Sequence, residues 1–236
     1  MSEHKKVCSL CKGKYCANKV SIFSILQEEQ LAEITDEINR KEYKKGDMLF
    51  FEGDISDKLY LINKGKIKIF KYTKDGKEQI LYILSEGDFI GDMSLIKKDE
   101  FKFNAQAIED TNICILTKDD FDNILLKNPD IALRILQVIY DRVVTLENLI
   151  QRLGTKDIEA RLAGLLLSFI KDFGTPKNKI VELEIPLSRE DMANYIGSTR
   201  ETVSRKLSSL QDEGIIELKG NRKIIIKDLT SLEDLA

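Results

Sequence analysis

The chain has 236 residues, 42% of them hydrophobic and 33% charged, with a formal net charge of -3. That is enough apolar material for one large or two modest globular domains, each with a core of its own. The longest apolar run, Leu162 to Ile170, is interrupted by Gly164 and Ser168 and falls short of the roughly 18 residues that cross a bilayer, so no membrane anchor is expected.

The N-terminus carries Lys5 and Lys6 and lacks a basic start followed by an apolar stretch. It does not read as a secretory signal, and a cytoplasmic location is expected. The stretch CSLCKGKYC then places Cys8, Cys11 and Cys16 within nine residues, three of the four cysteines present. In a reducing compartment such clustered thiols serve as metal ligands or redox sensors rather than as disulfide staples.

From Glu28 to Ile38 the spacing of Leu31, Ile34 and Ile38 predicts a short amphipathic helix. Lys41 to Thr117 alternates short β-rich runs with glycine turns, and Gly46, Gly53, Gly65, Gly76, Gly87 and Gly91 punctuate it as in an all-β barrel or roll. Asp75-Gly76 stands where a hairpin turn belongs. The remaining cysteine, Cys114, lies in TNICILT on the last strand, pointing to the face opposite Ile113 and Ile115.

A helix is predicted to start after Asn128-Pro129. Its apolar positions Leu136, Ile139, Val143, Leu146, Ile150 and Leu153 step by threes and fours until Gly154. Such a stripe can cover a helix's own domain, but strict 3-4 spacing favours a two-stranded coiled coil, so a parallel homodimer along these residues is expected.

Asp157 to Phe173 reads as another helix, GTPKN as a loop, and Ser188 to Asp228 as two short helices followed by a hairpin. Ser188 can cap the first helix, Gly197 supplies a tight turn, and the second helix runs from Thr199 to about Asp212. On it Val203, Leu207 and Leu210 share one face, while Arg200, Glu201, Ser204 and Arg205 face the other way. Arginine can fork to guanine O6 and N7, and glutamate can accept from cytosine N4, which suits this face to a major groove. Ser198 and Glu201 also fit a capping box, and Glu201 and Arg205 an i, i+4 ion pair, which would only stabilise a surface helix. Lys219, Arg222 and Lys223 at the turn of the following hairpin tip the balance toward a wing that touches phosphate beside the groove.

With these segments assembled, the whole chain resembles the CRP/FNR family of transcription regulators. RETVSR carries the family's R-E-x-x-x-R pattern through Arg200, Glu201 and Arg205, and the E-x-x-S-R pattern of its FNR branch through Glu201, Ser204 and Arg205. KKGDMLFFEGD and SEGDFIGDMSL resemble the family's cyclic-nucleotide-type roll. The resemblance implies an α+β fold: a cysteine-bearing segment over 1–19, a cyclic-nucleotide-binding-like β-roll over 20–127, a dimerisation helix over 128–154 and a winged helix-turn-helix domain over 155–236. It further implies palindromic DNA with TTGAT-like half-sites, RNA polymerase as a partner, and no enzymatic activity. Phe103-Asn104 stands where nucleotide-binding members present an Arg-Ser pair, so no bidentate cation meets a cyclic phosphate.

AQAIEDTNIC resembles the FNR stretch that supplies a fourth cluster ligand. Cys8, Cys11, Cys16 and Cys114 then imply a 4Fe-4S cluster sensing oxygen, nitric oxide or redox state, with one residue fewer between the second and third ligands than FNR has. Four thiolates also suit zinc, and a thiol-disulfide switch, or an effector in the roll with no metal at all, are the alternatives. Haem is disfavoured, because His4 is the only histidine.

Overall fold

The computed structural model describes residues 20–24, 26–91, 99–154, 157–177, 180–220 and 222–236. Cys8, Cys11 and Cys16 lie outside the described residues. The chain divides into two compact units: one runs to Lys71 and resumes from Tyr82 to Val144, and the other comprises Tyr72–Leu81 and Thr145–Ala236.

Among its described residues the first unit opens with a 3-10 turn, Ser21–Phe23, and helix α1, Glu28–Glu37. Ten strands follow: β1 Asn39–Tyr43, β2 Met48–Phe50, β3 Ile55–Ser56, β4 Lys58–Lys64, β5 Ile67–Tyr72, β6 Glu78–Leu84, β7 Phe89–Ile90, β8 Asp99–Glu100, β9 Asn104–Ala107 and β10 Thr111–Thr117. They form sheets of order β1-β10-β4-β7 and β2-β9-β5-β6, plus the small pair β3-β8. Helix α2, Lys118–Lys127, was not expected from the sequence; Thr117 caps it by accepting from the Asp120 N–H at 3.2 Å, which turns the chain straight from strand into helix. Helix α3 then runs unbroken from Asp130 to Gly154.

One apolar cluster ties the helices of this unit to its sheet. Val20, Ile22 and Phe23 meet Leu31, Ile34 and Ile38 of the α1 segment, Leu59 and Leu61 of β4, Phe89 of β7, Cys114 and Leu116 of β10, Phe121 and Ile124 of α2, and Ile131 and Ile135 of α3. The register explains the membership: Cys114 pairs with Leu61 and Leu116 with Leu59, so period-2 alternation puts all four on one face of the sheet, while Ile113 pairs with Ile62 in the other direction.

The same cluster decides which face of α3 is covered. Val138 and Ile139 pack against it, so Ile139, expected in the intermolecular seam, is partly buried against its own unit. The exposed apolar stripe is Leu133, Leu136, Tyr140, Val143 and Ile150, each between 47% and 71% exposed. Leu136, Val143 and Ile150 of the expected seam belong to it, and Leu146 is half-buried. Leu133 and Tyr140 extend the stripe on the side that the heptad reading passed over.

The second unit contains α4, Ile158–Phe173, capped by Asp157, which accepts from the Glu159 N–H at 2.8 Å. Gly174–Lys177, expected as loop, is strand β11, antiparallel to β12, Ile180–Glu184. Its residues carry no strand signal of their own, and pairing with β12 supplies the order. Helices α5, Arg189–Ile196, and α6, Arg200–Asp212, precede β13, Ile216–Lys219, and β14, Lys223–Ile226; a last helix, α7, covers Leu229–Asp234. The sheet order is β11-β12-β14-β13.

Two turn glycines make contrasting predictions. Gly65 has φ +98, and an added Cβ would lie 2.7 Å from the Thr111 Cα and 2.8 Å from the Asp110 carbonyl oxygen; Gly76 has φ +74 but open space around it. In urea denaturation, Gly76→Ala should cost about 1 kcal/mol, the left-handed strain alone, and Gly65→Ala roughly 2–4 kcal/mol because backbone must also move.

Candidate nucleic-acid interface

Helices α5 and α6 meet at a glycine turn built as the sequence predicts. Ser188 caps α5: its hydroxyl accepts from the Asp191 N–H at 3.1 Å, and the Asp191 carboxylate accepts from the Ser188 N–H at 3.1 Å. Gly197 ends the helix in the left-handed conformation, φ 65 and ψ 49. Ser198 does not cap α6. Its N–H closes the preceding helix onto the Ala193 carbonyl at 2.9 Å, and Thr199 is the cap, accepting from the Thr202 N–H at 3.3 Å.

Val203, Leu207 and Leu210 are fully buried and anchor α6 by one face. Arg200, Glu201, Ser204 and Arg205 are all exposed on the other. Among the described residues no ion pair joins Glu201 to Arg205, so the helix presents cation, carboxylate and hydroxyl together to solvent.

The hairpin β13-β14 carries the three cations expected at its turn, and two of them face carboxylates. Lys223 Nζ lies 2.8 Å from Glu182 Oε2, and Lys177 Nζ lies 3.0 Å from the same oxygen. These two lysines hold the Glu182 carboxyl below its usual pKa range, chiefly through their hydrogen bonds. Lys219 faces Glu217 at 3.6 Å, and Glu217, bonded by Lys227 at 2.9 Å, is likewise held low. Arg222 is exposed and carries no ion pair among the described residues. A phosphate approaching this wing therefore meets one guanidinium directly and must compete with carboxylates for the lysines.

Two residues of α4 that sequence reasoning passed over touch this reading head. Glu159 Oε2 accepts from Lys206 Nζ of α6 at 2.7 Å, and Arg161 Nη1 donates to the Ile196 carbonyl at 2.7 Å. Glu159 is the first cause of a raised Lys206 pKa. Spacing in the sequence could not have found either contact, because α4 and α6 are far apart along the chain.

In the first unit, Cys114 is 3% exposed, within the apolar cluster. Among the described residues no group of three or more His, Cys, Asp and Glu side chains is placed to hold a metal ion. Where nucleotide binders carry Arg-Ser, Phe103 meets the Tyr82 ring edge-on at 6.5 Å. Asn104 is buried with its carboxamide engaged by backbone, accepting from the Glu52 N–H at 3.1 Å and donating to the Phe70 carbonyl at 3.4 Å. Beside them Phe50 and Phe101 stack at 3.5 Å. Among the described residues no helix is long and apolar enough to cross a membrane.

Comparison with known proteins follows the same division. Residues 40–128 match the family described as cyclic nucleotide-binding domain, and residues 160–235 the one described as Crp-like helix-turn-helix domain. The chain is 32% identical over 212 residues to Electron transport regulator A of Shewanella oneidensis, covering 89% of this chain and 84% of that one. It is 27% identical over 210 residues to the CRP-like cAMP-activated global transcriptional regulator of Mycobacterium tuberculosis, covering 89% and 93%. A solved CooA variant from Carboxydothermus hydrogenoformans has a TM-score of 0.78 at 27% identity, over 92% of this chain and 95% of that chain.

Arg205→Ala should cost roughly 1–3 kcal/mol of operator affinity and relax sequence preference, whereas Arg222→Ala should weaken all duplexes alike and lower the salt slope by about 1, both measured by fluorescence anisotropy titration. The wing makes a pH prediction. A carboxyl with a depressed pKa contributes stability above its ordinary range and loses it as pH falls through the depressed value. Glu182→Gln should therefore remove one acid-limb contribution to stability in thermal melts below pH 5, and at pH 7 should raise affinity for random duplex by releasing Lys177 and Lys223.

Proposed function

This chain belongs to the CRP/FNR family of DNA-binding transcription regulators, which act on DNA as homodimers and are not enzymes, and from that premise we propose that it answers oxygen, nitric oxide or redox state through its four cysteines. It works in the cytoplasm, on palindromic DNA with TTGAT-like half-sites read by Arg200, Glu201, Ser204 and Arg205, in concert with RNA polymerase. Arg222 holds phosphate beside the groove, and Lys219 and Lys223 join it when phosphate displaces their carboxylates.

The observation that supports the sensing role is the company Cys114 keeps. Val20, Ile22 and Phe23, which follow Cys16 within a few residues, pack in one cluster with Cys114 and with Ile131 and Ile135 at the start of α3. Val20 follows Cys16 by four residues, a stretch that spans at most about 14 Å when extended, and this short tether supports a site that includes Cys114. Four thiols are the donor set that a 4Fe-4S cluster takes, and Cys8, Cys11, Cys16 and Cys114 would hold it. When bound, such a cluster supplies an oxygen-labile tie between the N-terminal segment and β10.

The chain's own residues convert that tie into DNA affinity. Packing of Val20, Ile22 and Phe23 fixes the root of α3 and holds Val138 and Ile139 inward, which leaves Leu136, Val143 and Ile150 aimed at the same stripe of a second copy. Leu146 completes that seam with them, as the heptad spacing assigns it and Leu153. Paired subunits grip two half-sites about 34 Å apart, one turn of DNA, and separated subunits keep only one. The loss is steep, because a linked second contact becomes an independent one.

Protein purified without oxygen should be brown, hold about four iron and four sulfide per chain, and sediment as a dimer. Cys114→Ala, which keeps a small apolar side chain in the cluster, should lose iron and colour and become monomeric. Colourless wild type with reduced thiols that still dimerises would overturn the cluster reading; zinc by metal analysis, or a disulfide by thiol titration, would replace it.

A further inference from the structure

The recognition helix is anchored by apolar residues on one face only, and apolar contacts are non-directional, so they do not by themselves fix its angle to α5. Polar contacts at that joint come from Gln79, whose Nε2 donates to the Tyr195 carbonyl at 3.2 Å, and from α4. Arg161 Nη1 reaches two carbonyls at the C-terminal end of α5, Ile196 at 2.7 Å and Gly197 at 3.4 Å. These belong to the last turn of the helix, whose carbonyls lack intrahelical partners and carry the negative end of the helix dipole. Arg161 Nε is buried and without a hydrogen-bond partner among the described residues. A guanidinium held there with one donor unsatisfied is a costly arrangement, tolerated where the remaining contacts define a geometry. Two residues earlier, Glu159 binds Lys206 of α6 at 2.7 Å, with its side chain 19% exposed and that of Lys206 32%. One stretch of α4, beginning at its Asp157 cap, thus touches both the turn and the recognition helix.

We propose that Arg161, assisted by Glu159, is a positioning residue for sequence reading: it sets the angle at which α6 presents Arg200, Glu201, Ser204 and Arg205, without touching DNA itself. This rests on the assignment of α6 as the reading helix. Because Arg161 spends its charge on backbone carbonyls, removing it takes away no phosphate contact. Because Glu159 and Arg161 follow within a few residues of Gly154, where α3 ends, the same stretch is the covalent route from the dimer helix to the reading head.

The test uses the full-length protein and two variants, Arg161→Met and Arg161→Lys. Affinities are measured for a duplex carrying two inverted TTGAT half-sites and for a random duplex, with amide hydrogen exchange recorded on the free proteins. Arg161→Met should lose at least tenfold in affinity for the palindrome and less than twofold for random duplex, with an unchanged salt slope. Arg161→Lys, which can still donate to the Ile196 carbonyl, should recover most of the loss. In free Arg161→Met, exchange at the Ser198 and Val203 amides should quicken while β12 and β14 keep their protection.

Equal losses on both duplexes, no rescue by lysine, or unchanged exchange at the turn would overturn the positioning role. Wild type that fails to prefer the palindrome would count against the proposed half-sites, and the exchange data would still decide the clamp. A Glu159→Ala and Lys206→Ala double-mutant cycle adds a second readout. The two losses on the palindrome should be non-additive, and full additivity would remove Glu159 from the proposal.

Discussion

Much of the first unit depends on one requirement: Val20, Ile22 and Phe23 must be buried, and among the described residues they are covered by the α1 segment, strands β4, β7 and β10, α2 and the start of α3. Ile22, Phe23, Phe89 and Phe121 are fully covered there. Removing one such aromatic leaves a cavity worth about 3–5 kcal/mol, a large part of the stability of a typical domain. This burial carries Cys114 and the base of α3 into one cluster. Packing alone thereby joins Val20, Ile22 and Phe23 to the start of α3.

The second unit solves a different problem, which is to hold a short helix rigidly while leaving one of its faces bare. Apolar burial of Val203, Leu207 and Leu210 supplies stability, and the caps at Ser188, Gly197 and Thr199 set where each helix begins and ends. Directional contacts from α4 add what burial cannot. The wing follows the same economy of charge. Glu182 pairs with Lys223 and Glu217 with Lys219, so carboxylates of the sheet already face these two cations.

Residues 40–128 match the cyclic nucleotide-binding domain family, and near Phe103-Asn104 the roll is lined by aromatic rings. Stacked Phe50 and Phe101 occupy apolar volume, and the Asn104 amide is spent on backbone groups. A cyclic phosphate buried there would lack the paired cation that makes such burial tolerable. Arg142 illustrates the change of emphasis: it lies over the Phe89 ring at 4.9 Å and donates to the Phe89 carbonyl, fastening α3 to its own roll.

What the amino-acid order determined alone was much of what neighbours in the chain govern, although it passed over α2 and its Thr117 cap. The period of apolar residues marks α1 and α3, the Ser188 cap marks a helix start, and Gly76 and Gly197 mark turns, because propensity, capping and backbone freedom act over a few residues. The exposed side chains of the reading helix were legible for the same reason: Val203, Leu207 and Leu210 define one face and so leave Arg200, Glu201, Ser204 and Arg205 on the other. Tertiary structure decided what depends on partners remote in sequence. An apolar stripe wider than a seam does not say which edge its own domain will cover, and the cluster took Ile139 inward while leaving Leu133 and Tyr140 outside. Gly174–Lys177 became a strand because β12 lay beside it, Lys223 was claimed by Glu182, and Arg161 found the end of α5. In each case the chain brought together groups whose attraction is short-ranged, and only the fold sets which of them come within range.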